Sequence, residues 1–356
     1  MPRDNKTPSA QATNTREPKQ IISRRRLLQA TGAGLITTAG AGAGAAARSD
    51  NQQQPRWSTD LAGAACFPPL IANGTVYIGA EPSDYYCTVS AFDVDSGRQQ
   101  GTLSTSRMRS LSAPAVVDGT VYIGDRDTVH VLNSTLSKLQ RIERLGSYTR
   151  TPPVVTDGSV YIGCDDGIHA LRLDPQRTEH IFTTQAAVRS LCVEDGTVYF
   201  GDEDWKVHAV DTSSGTQQWV REISGHPGSP VVDNGVVYVG ATSTISGGTS
   251  RFYAIDADTG DELWRKEDHG ARSPTIVDDT IVTSGDGVCG LNPESGATRW
   301  QFTDIQIGTG SPAVSDGTAY VPSFFTEQLY GLEVTTGAVS QTYEIDEDIA
   351  TPVSVA

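Results

Sequence analysis

Three histidines, His130, His169 and His208, stand at equivalent places in successive stretches of this chain, and imidazole is a common zinc ligand. Their spacing argues against a shared ion. Equivalent places in successive stretches fall on separate packed sheets, which stand roughly 10 Å apart or more, so three such ligands do not meet. Tyr253 and Tyr330 fill the same slot elsewhere, and a packing position for a medium-sized ring is expected. No metal ligand is assigned.

The other reactive residue types give equally plain readings. Five cysteines, Cys66, Cys87, Cys164, Cys192 and Cys289, contain no CxxC pair, so a zinc ladder has no support. An odd count in an exported chain leaves at least one thiol outside intramolecular pairing, and Cys66 with Cys87 is an open pairing. The acidic turns Asp125-Arg126-Asp127, Asp165-Asp166-Gly167 and Asp202-Glu203-Asp204 carry the oxygens that calcium takes. None continues into the full calcium-loop pattern, and hairpin turn chemistry accounts for them. The G-x-S-x-G signature of a nucleophilic serine is missing. Arg189 and Arg272 begin innermost strands at one rim of an axial channel. They are candidates to hold an anionic group, and pairing with nearby acidic turns is the favoured reading. Asn73-Gly74-Thr75 and Asn133-Ser134-Thr135 are glycosylation sequons, with Asn133 the better candidate because Asn73 lies in a tight turn.

The elements that position these residues come from an internal repeat. A phrase of the form P-x-V-x-D-G-T-V-Y-I-G returns seven times, with its turn at Gly74, Gly119, Gly158, Gly196, Gly235, Asp279 and Gly317. Each copy reads as a short apolar strand, an Asp/Asn-Gly turn and a second strand. A second phrase, A-x-D-x-x-[ST]-G-x-x-x-W, follows at Ala209 to Trp219 and Ala254 to Trp264, and as Gly290 to Trp300. It adds a third strand, a turn and a fourth. Four antiparallel strands per repeat describe a propeller blade, and a ring of blades buries both faces of every sheet. The fold class expected is all-β: a β-propeller of seven complete four-stranded repeats.

The second phrase resembles the tryptophan-docking motif of the pyrroloquinoline-quinone-type repeat, found in quinoprotein dehydrogenases and in non-enzymatic propellers such as the bacterial outer-membrane assembly lipoprotein. The resemblance runs over residues 57 to 356. It implies that Trp219, Trp264 and Trp300 each dock on the next blade. The dehydrogenases of that family set an adjacent Cys pair over their cofactor beside a bound calcium. No Cys-Cys pair exists here and the chain is shorter, so the resemblance points to the non-enzymatic branch, with neither pyrroloquinoline quinone nor calcium expected.

The two ends of the repeat array add terminal strands. Trp57 precedes Gly74 by the spacing of an outermost-strand Trp, and Thr351 to Val355 read as an innermost strand. These ends supply the first and last strands of a partial eighth blade, so either seven blades with surplus strands or eight with a defective closure is expected.

The net charge is −16, and the first 47 residues hold seven Lys/Arg against two Asp/Glu, which leaves the remainder at −21. Asp outnumbers Glu 29 to 14 and only Lys138, Lys206 and Lys266 follow residue 47, a combination that resembles proteins of extreme halophiles. A field of this sign repels phosphate backbones and anionic lipid, which excludes nucleic acid as a partner. Near the start, Ser23-Arg24-Arg25-Arg26-Leu27-Leu28 and the Gly/Ala-rich segment ending at Ala45-Ala46-Ala47 match a twin-arginine export signal, with Arg24 and Arg25 as its defining pair. Residues 1–47 are therefore expected to be a signal peptide, 48–56 a polar linker and 57–356 the propeller, with no transmembrane domain in the mature chain.

Repeats 1, 5 and 7 carry longer connections between their second and third strands. Two of these present Tyr85-Tyr86 and Phe324-Phe325, and paired aromatics on exposed loops favour an interface. The expectation is a monomeric, exported, non-catalytic scaffold at the cell surface that binds a protein or a cell-envelope glycan. The alternative is a quinone-binding redox protein or electron-transfer accessory.

Overall fold

Two-residue turns set the architecture. At Asn73-Gly74, Asp118-Gly119, Asp157-Gly158, Asp195-Gly196, Asn234-Gly235, Asp278-Asp279 and Asp316-Gly317 both central residues have positive φ. This is the hairpin turn whose twist matches that of its flanking strands. These turns join a short inner strand to a longer second strand, as in Ala115–Val117 with Thr120–Asp125 or Val154–Thr156 with Ser159–Cys164, except that the inner strand Val188–Glu194 outruns its partner Thr197–Asp202. The computed structural model describes residues 26–30, 35–40, 57–61, 64–65, 67, 69–83, 86–104, 111–174, 176–243, 250–267, 273–285, 287–303, 312–323, 328–344 and 354–355.

Each of the seven repeats folds as one antiparallel meander, here called blades 1 to 7 in chain order. Blade 2 is completed by Thr128–Asn133 and Leu139–Arg144. Blade 3 comprises Val154–Thr156, Ser159–Cys164, Gly167–Leu173 and Gln176–Thr183, and blade 4 is completed by Lys206–Asp211 and Gln217–Glu222. All regular structure among the described residues is β.

The eighth sheet differs from the sequence expectation. Its outer strand is Trp57–Leu61 and its inner strand Ser354–Val355, but two middle strands, Arg26–Ala30 and Leu35–Gly40, lie between them. These residues fall inside the segment assigned to export. Their Leu, Ile, Ala and Gly content reads as a targeting core and contains no Asp-Gly turn phrase, so nothing in it announced a hairpin. Inner strands touch in succession around the axis, and Ser354–Val355 contacts both Ala313–Ser315 of blade 7 and Leu70–Ala72 of blade 1. The ring therefore closes through the sheet that the termini build.

The core lies between blades, not within them. Tyr77, Val89 and Ala91 of blade 1 pack with Val121, Ile123 and Leu132 of blade 2. The same arrangement joins blades 2 and 3 through Tyr122, Val129, Val160 and Ile162, and blades 3 and 4 through Ile168, Ala170, Val198 and Phe200. Second strands such as Ser159–Cys164 are buried along their whole length, because each face meets a neighbour. Burying a Val, Ile or Phe side chain is worth about 1.5–3 kcal/mol.

Tryptophans fasten the outer edges of these joints. The indole Nε1 donates to the carbonyl of Val94 from Trp57, of Ala257 from Trp219 and of Pro293 from Trp264, each at 2.8 Å, and of Val334 from Trp300 at 2.7 Å. Each acceptor belongs to the following blade. Tyr199 and Tyr238 reach the same carbonyls as Trp219 and Trp264, at 3.4 and 3.3 Å. Blade 3 lacks the Trp, and Arg172 takes the role: its Nη2 donates to Thr212 of blade 4 at 2.6 Å while Nε holds Glu179 at 2.8 Å.

Candidate functional site

The turns between second and third strands lie on one face of the ring, and in blades 2 to 4 they are short and well defined. In blade 2 the second strand ends at Asp125, whose Oδ2 lies 3.1 Å from His130 Nε2. In blade 4 it ends at Asp202, with Oδ2 2.9 Å from His208 Nε2. Burial alone would raise the Asp202 carboxyl, but the His208 hydrogen bond and the backbone amides of Lys206 and Asp204 hold it below the usual carboxylate range. Each His is thus paired with a carboxylate of its own blade, and the three do not converge. His208 also stacks on Phe200, with ring centroids 4.6 Å apart, which accounts for a ring at this slot.

Two ion pairs recur one step toward solvent. Arg189, exposed at the start of the inner strand of blade 4, places Nη2 2.7 Å from Glu203 in the turn of the same blade. In blade 3, Arg150 pairs in the same way with Asp165. Sequence reasoning missed Arg150. The two arginines stand at different distances from their turn glycines, Gly158 and Gly196, with Arg189 one residue closer. Both cations are already matched by carboxylates, so an anionic ligand at this rim would have to displace them.

Two aromatic side chains on this face also escaped the sequence reading. Tyr148, in the connection from blade 2 to blade 3, is 48% exposed, and Trp205, in the turn of blade 4, is 39% exposed. Neither dangles. Arg126 lies over the Tyr148 ring at 5.3 Å and donates to its hydroxyl at 3.1 Å. Trp205 meets His226 edge-on at 5.9 Å. Trp205 sits at φ 63, a conformation only its tight turn explains. A cavity of about 510 Å³ is lined by Arg126, Asp127, Gly146, Ser147, Tyr148 and Asp165.

Tyr85, Phe324, Phe325 and Arg272 lie outside the described residues, as do Arg24, Arg25 and Cys66. Tyr86 opens the third strand of blade 1, Tyr86–Asp93. Asn133 is half-buried in a turn where its Nδ2 donates to Thr135 Oγ1 at 2.9 Å and Ser137 Oγ at 3.0 Å. Glycosylation there would replace one of the two N–H donors and so break at least one of these bonds.

Among the described residues, one group of potential metal ligands is present on this face. Sγ of Cys164, a carboxylate oxygen of Asp166 and a ring nitrogen of His169 all lie within 4.8 Å of one another. Burial, with the Asp166 and Asp165 charges, pushes the Cys164 thiol up to about 12. Burial also pushes His169 below the ordinary imidazole range, outweighing Asp166. Pyrroloquinoline quinone fits less well, since the chain holds no adjacent Cys pair and Arg150 and Arg189 at the rim are both engaged by carboxylates.

Interlocked Trp joints and a ring of four-stranded sheets define a β-propeller of the quinoprotein-like repeat class. The matching family model is described as PQQ_2, outer membrane protein assembly factor BamB, and covers residues 13–221 and 203–354. The chain belongs to that family. No curated protein matches it. Among solved structures, BamB from Moraxella catarrhalis is similar at a TM-score of 0.64 and 18% identity, over 82% of this chain and 91% of that one. The computationally designed Ika8 protein gives 0.66 and 18%, over 82% and 90%. The dihydro-heme d1 dehydrogenase NirN in complex with DHE gives 0.68 and 12%, over 93% and 75%. These likenesses establish the fold.

Proposed function

We propose that this chain is an exported, non-catalytic scaffold that binds a protein partner at the cell surface through the turn face of blades 2 to 4. The observation that carries the reading is the pair Tyr148 and Trp205, the exposed aromatics of that face among the described residues, each braced by a neighbour. Aromatic anchors held rigid before contact lose little entropy on binding and dominate interface energies. The flanking ion pairs Arg150–Asp165 and Arg189–Glu203 supply the charged rim that such anchors normally have. Membership in the outer membrane protein assembly factor family supports a protein partner over a glycan. The twin-arginine pattern around Arg24 and Arg25 supports export, and the Asp-rich charge supports a salt-rich medium.

Co-purification from native cell envelopes, read as one identified partner recovered in proportion to bait, tests the reading. Replacing Tyr148 and Trp205 with Ser should cut recovery by about 30-fold or more, the effect of losing about 2 kcal/mol. The melt in high salt should stay nearly unchanged. A parallel variant with Tyr85, Tyr86, Phe324 and Phe325 replaced by Ser asks whether the longer loops act instead. Full recovery with the first variant and loss with the second would move the interface to those loops. Recovery unchanged in both would end the reading. A saturable absorbance change on adding pyrroloquinoline quinone with calcium would overturn its non-catalytic part.

A further inference from the structure

We propose that Cys164, Asp166 and His169 of blade 3 form a binding site for a single divalent ion of the zinc class. Neighbouring blades bring two groups together at the same place. Blades 2 and 4 end their second strand in Gly-Asp, and that carboxylate, Asp125 or Asp202, meets the His of the third strand. Two ligand atoms satisfy each other there. In blade 3 the equivalent strand end is Cys164, and the carboxylate comes instead from Asp166, two residues into the turn, with Oδ1 2.9 Å from His169 Nε2. Imidazole, carboxylate and thiol therefore converge where the neighbours bring only two groups together.

The donor set and spacing suit the ion. Sulfur, nitrogen and oxygen donors together are the set zinc takes. Bonds of about 2.0–2.3 Å in a tetrahedron place ligand atoms about 3.3–3.8 Å apart. The three atoms already lie within 4.8 Å of one another, so closing each pair by at most about 1.5 Å brings them to the edges of such a tetrahedron. A thiolate and a carboxylate around a divalent ion give a neutral centre, which lowers the cost of holding charge at a buried thiol.

The surroundings hold the ligands in place and leave one side open. Cys164 is fully buried and His169 nearly so, whereas the Asp166 side chain is 45% exposed. The fourth position therefore faces solvent, where water can complete the shell, and the exposed His180 stacks on the His169 ring at 4.4 Å. Ser147 hydrogen-bonds Asp166, the kind of supporting contact that orients a ligand. Gly167 fixes the turn: at φ 138 its missing Cβ would fall 1.9 Å from the Phe182 carbonyl oxygen. No other residue type fits between Asp166 and the third strand.

Cobalt(II) titration of the purified, metal-stripped chain tests the site, because thiolate ligation gives a near-ultraviolet charge-transfer band and tetrahedral geometry gives intense visible bands. The expected result is one cobalt per chain with both signatures, displaced by zinc, and a higher melting temperature with zinc. Cys164→Ser should abolish the charge-transfer band. His169→Tyr, which installs the residue this slot carries in blades 5 and 7, should weaken zinc by about 100-fold or more. Both variants should melt like the parent in chelator, which separates loss of a ligand from loss of fold. Absence of the bands in the parent, or their persistence in Cys164→Ser, would overturn the proposal.

Discussion

Trp219 and Gly260 face each other across the joint between blades 4 and 5, so closely that a methyl group on Gly260 would stand 2.8 Å from the indole ring. The pair repeats as Trp57 with Gly97, Trp264 with Gly296 and Trp300 with Gly337. In each case the glycine has positive φ and lies in the turn just after the carbonyl that the indole bonds. The glycine of this phrase thus serves two ends: it permits the turn, and it leaves a flat seat for the ring from the blade before.

Trp219→Ala should cost about 3–5 kcal/mol. Gly260→Ala should cost about 2–4 kcal/mol, combining overpacking with backbone strain. Because both changes damage one contact, the double variant should lose clearly less than the sum. Denaturant midpoints in high salt would show it, and strict additivity would disprove the coupling.

Arg172 replaces the missing Trp of blade 3 with a fork to Glu179, Ser159, Tyr161 and the Thr212 carbonyl. Lysine cannot reproduce that fork. Arg172→Lys should cost about 2 kcal/mol and speed amide exchange near Thr212 before other joints open. Uniform exchange across the ring would argue against a local role.

Asp279 is the one position among the seven hairpin turns where the second residue is not glycine, and it sits at φ 58. Its carboxylate pairs with Arg299 at 2.9 Å, with the Asp side chain 76% exposed. Such a pair contributes little. Replacing Asp279 by Gly or by Ala removes the pair in both cases, so the difference isolates backbone strain. The Gly variant should exceed the Ala variant by about 1 kcal/mol in thermal unfolding; equal melts would mean the turn carries no strain.

Asp211 accepts four hydrogen bonds, from the hydroxyls and amides of Ser213 and Ser214, with the Ser213 hydroxyl first among the contacts that bring its carboxyl down to about 2. A carboxylate depressed in the folded state stabilises fully above the unfolded value of 3.8 and loses that contribution as pH falls through about 2. Carbon-detected NMR should find Asp211 titrating near 2, and Asp211→Asn should flatten part of the acid-side fall in stability between those values. A midpoint at the ordinary Asp value would refute the assignment.

The blades were legible because their signal is local. An Asp/Asn-Gly turn between alternating apolar runs specifies a hairpin wherever it occurs, and six such copies with the Asp278-Asp279 variant specify the ring. The candidate site was less legible because it depends on register. Arg150 and Arg189 stand at different distances from Gly158 and Gly196, so alignment on the turns does not match them. Tyr148 lies in a connection that follows no phrase. The replacement of Asp by Cys at position 164 gains meaning only once Asp166 and His169 are seen to reach it.

The eighth sheet gives the ring a mechanical character that its other joints lack. Trp57–Leu61 and Ser354–Val355 are three strand spacings apart, about 14 Å, and they touch only through Arg26–Ala30 and Leu35–Gly40. Tension between the two would load that hairpin in shear, like a tongue through a buckle. Proteolysis after Ala47 would remove the tongue, leaving Trp57 on Val94 and the inner strand's contacts with Leu70–Ala72 and Ala313–Ser315 to keep the belt fastened.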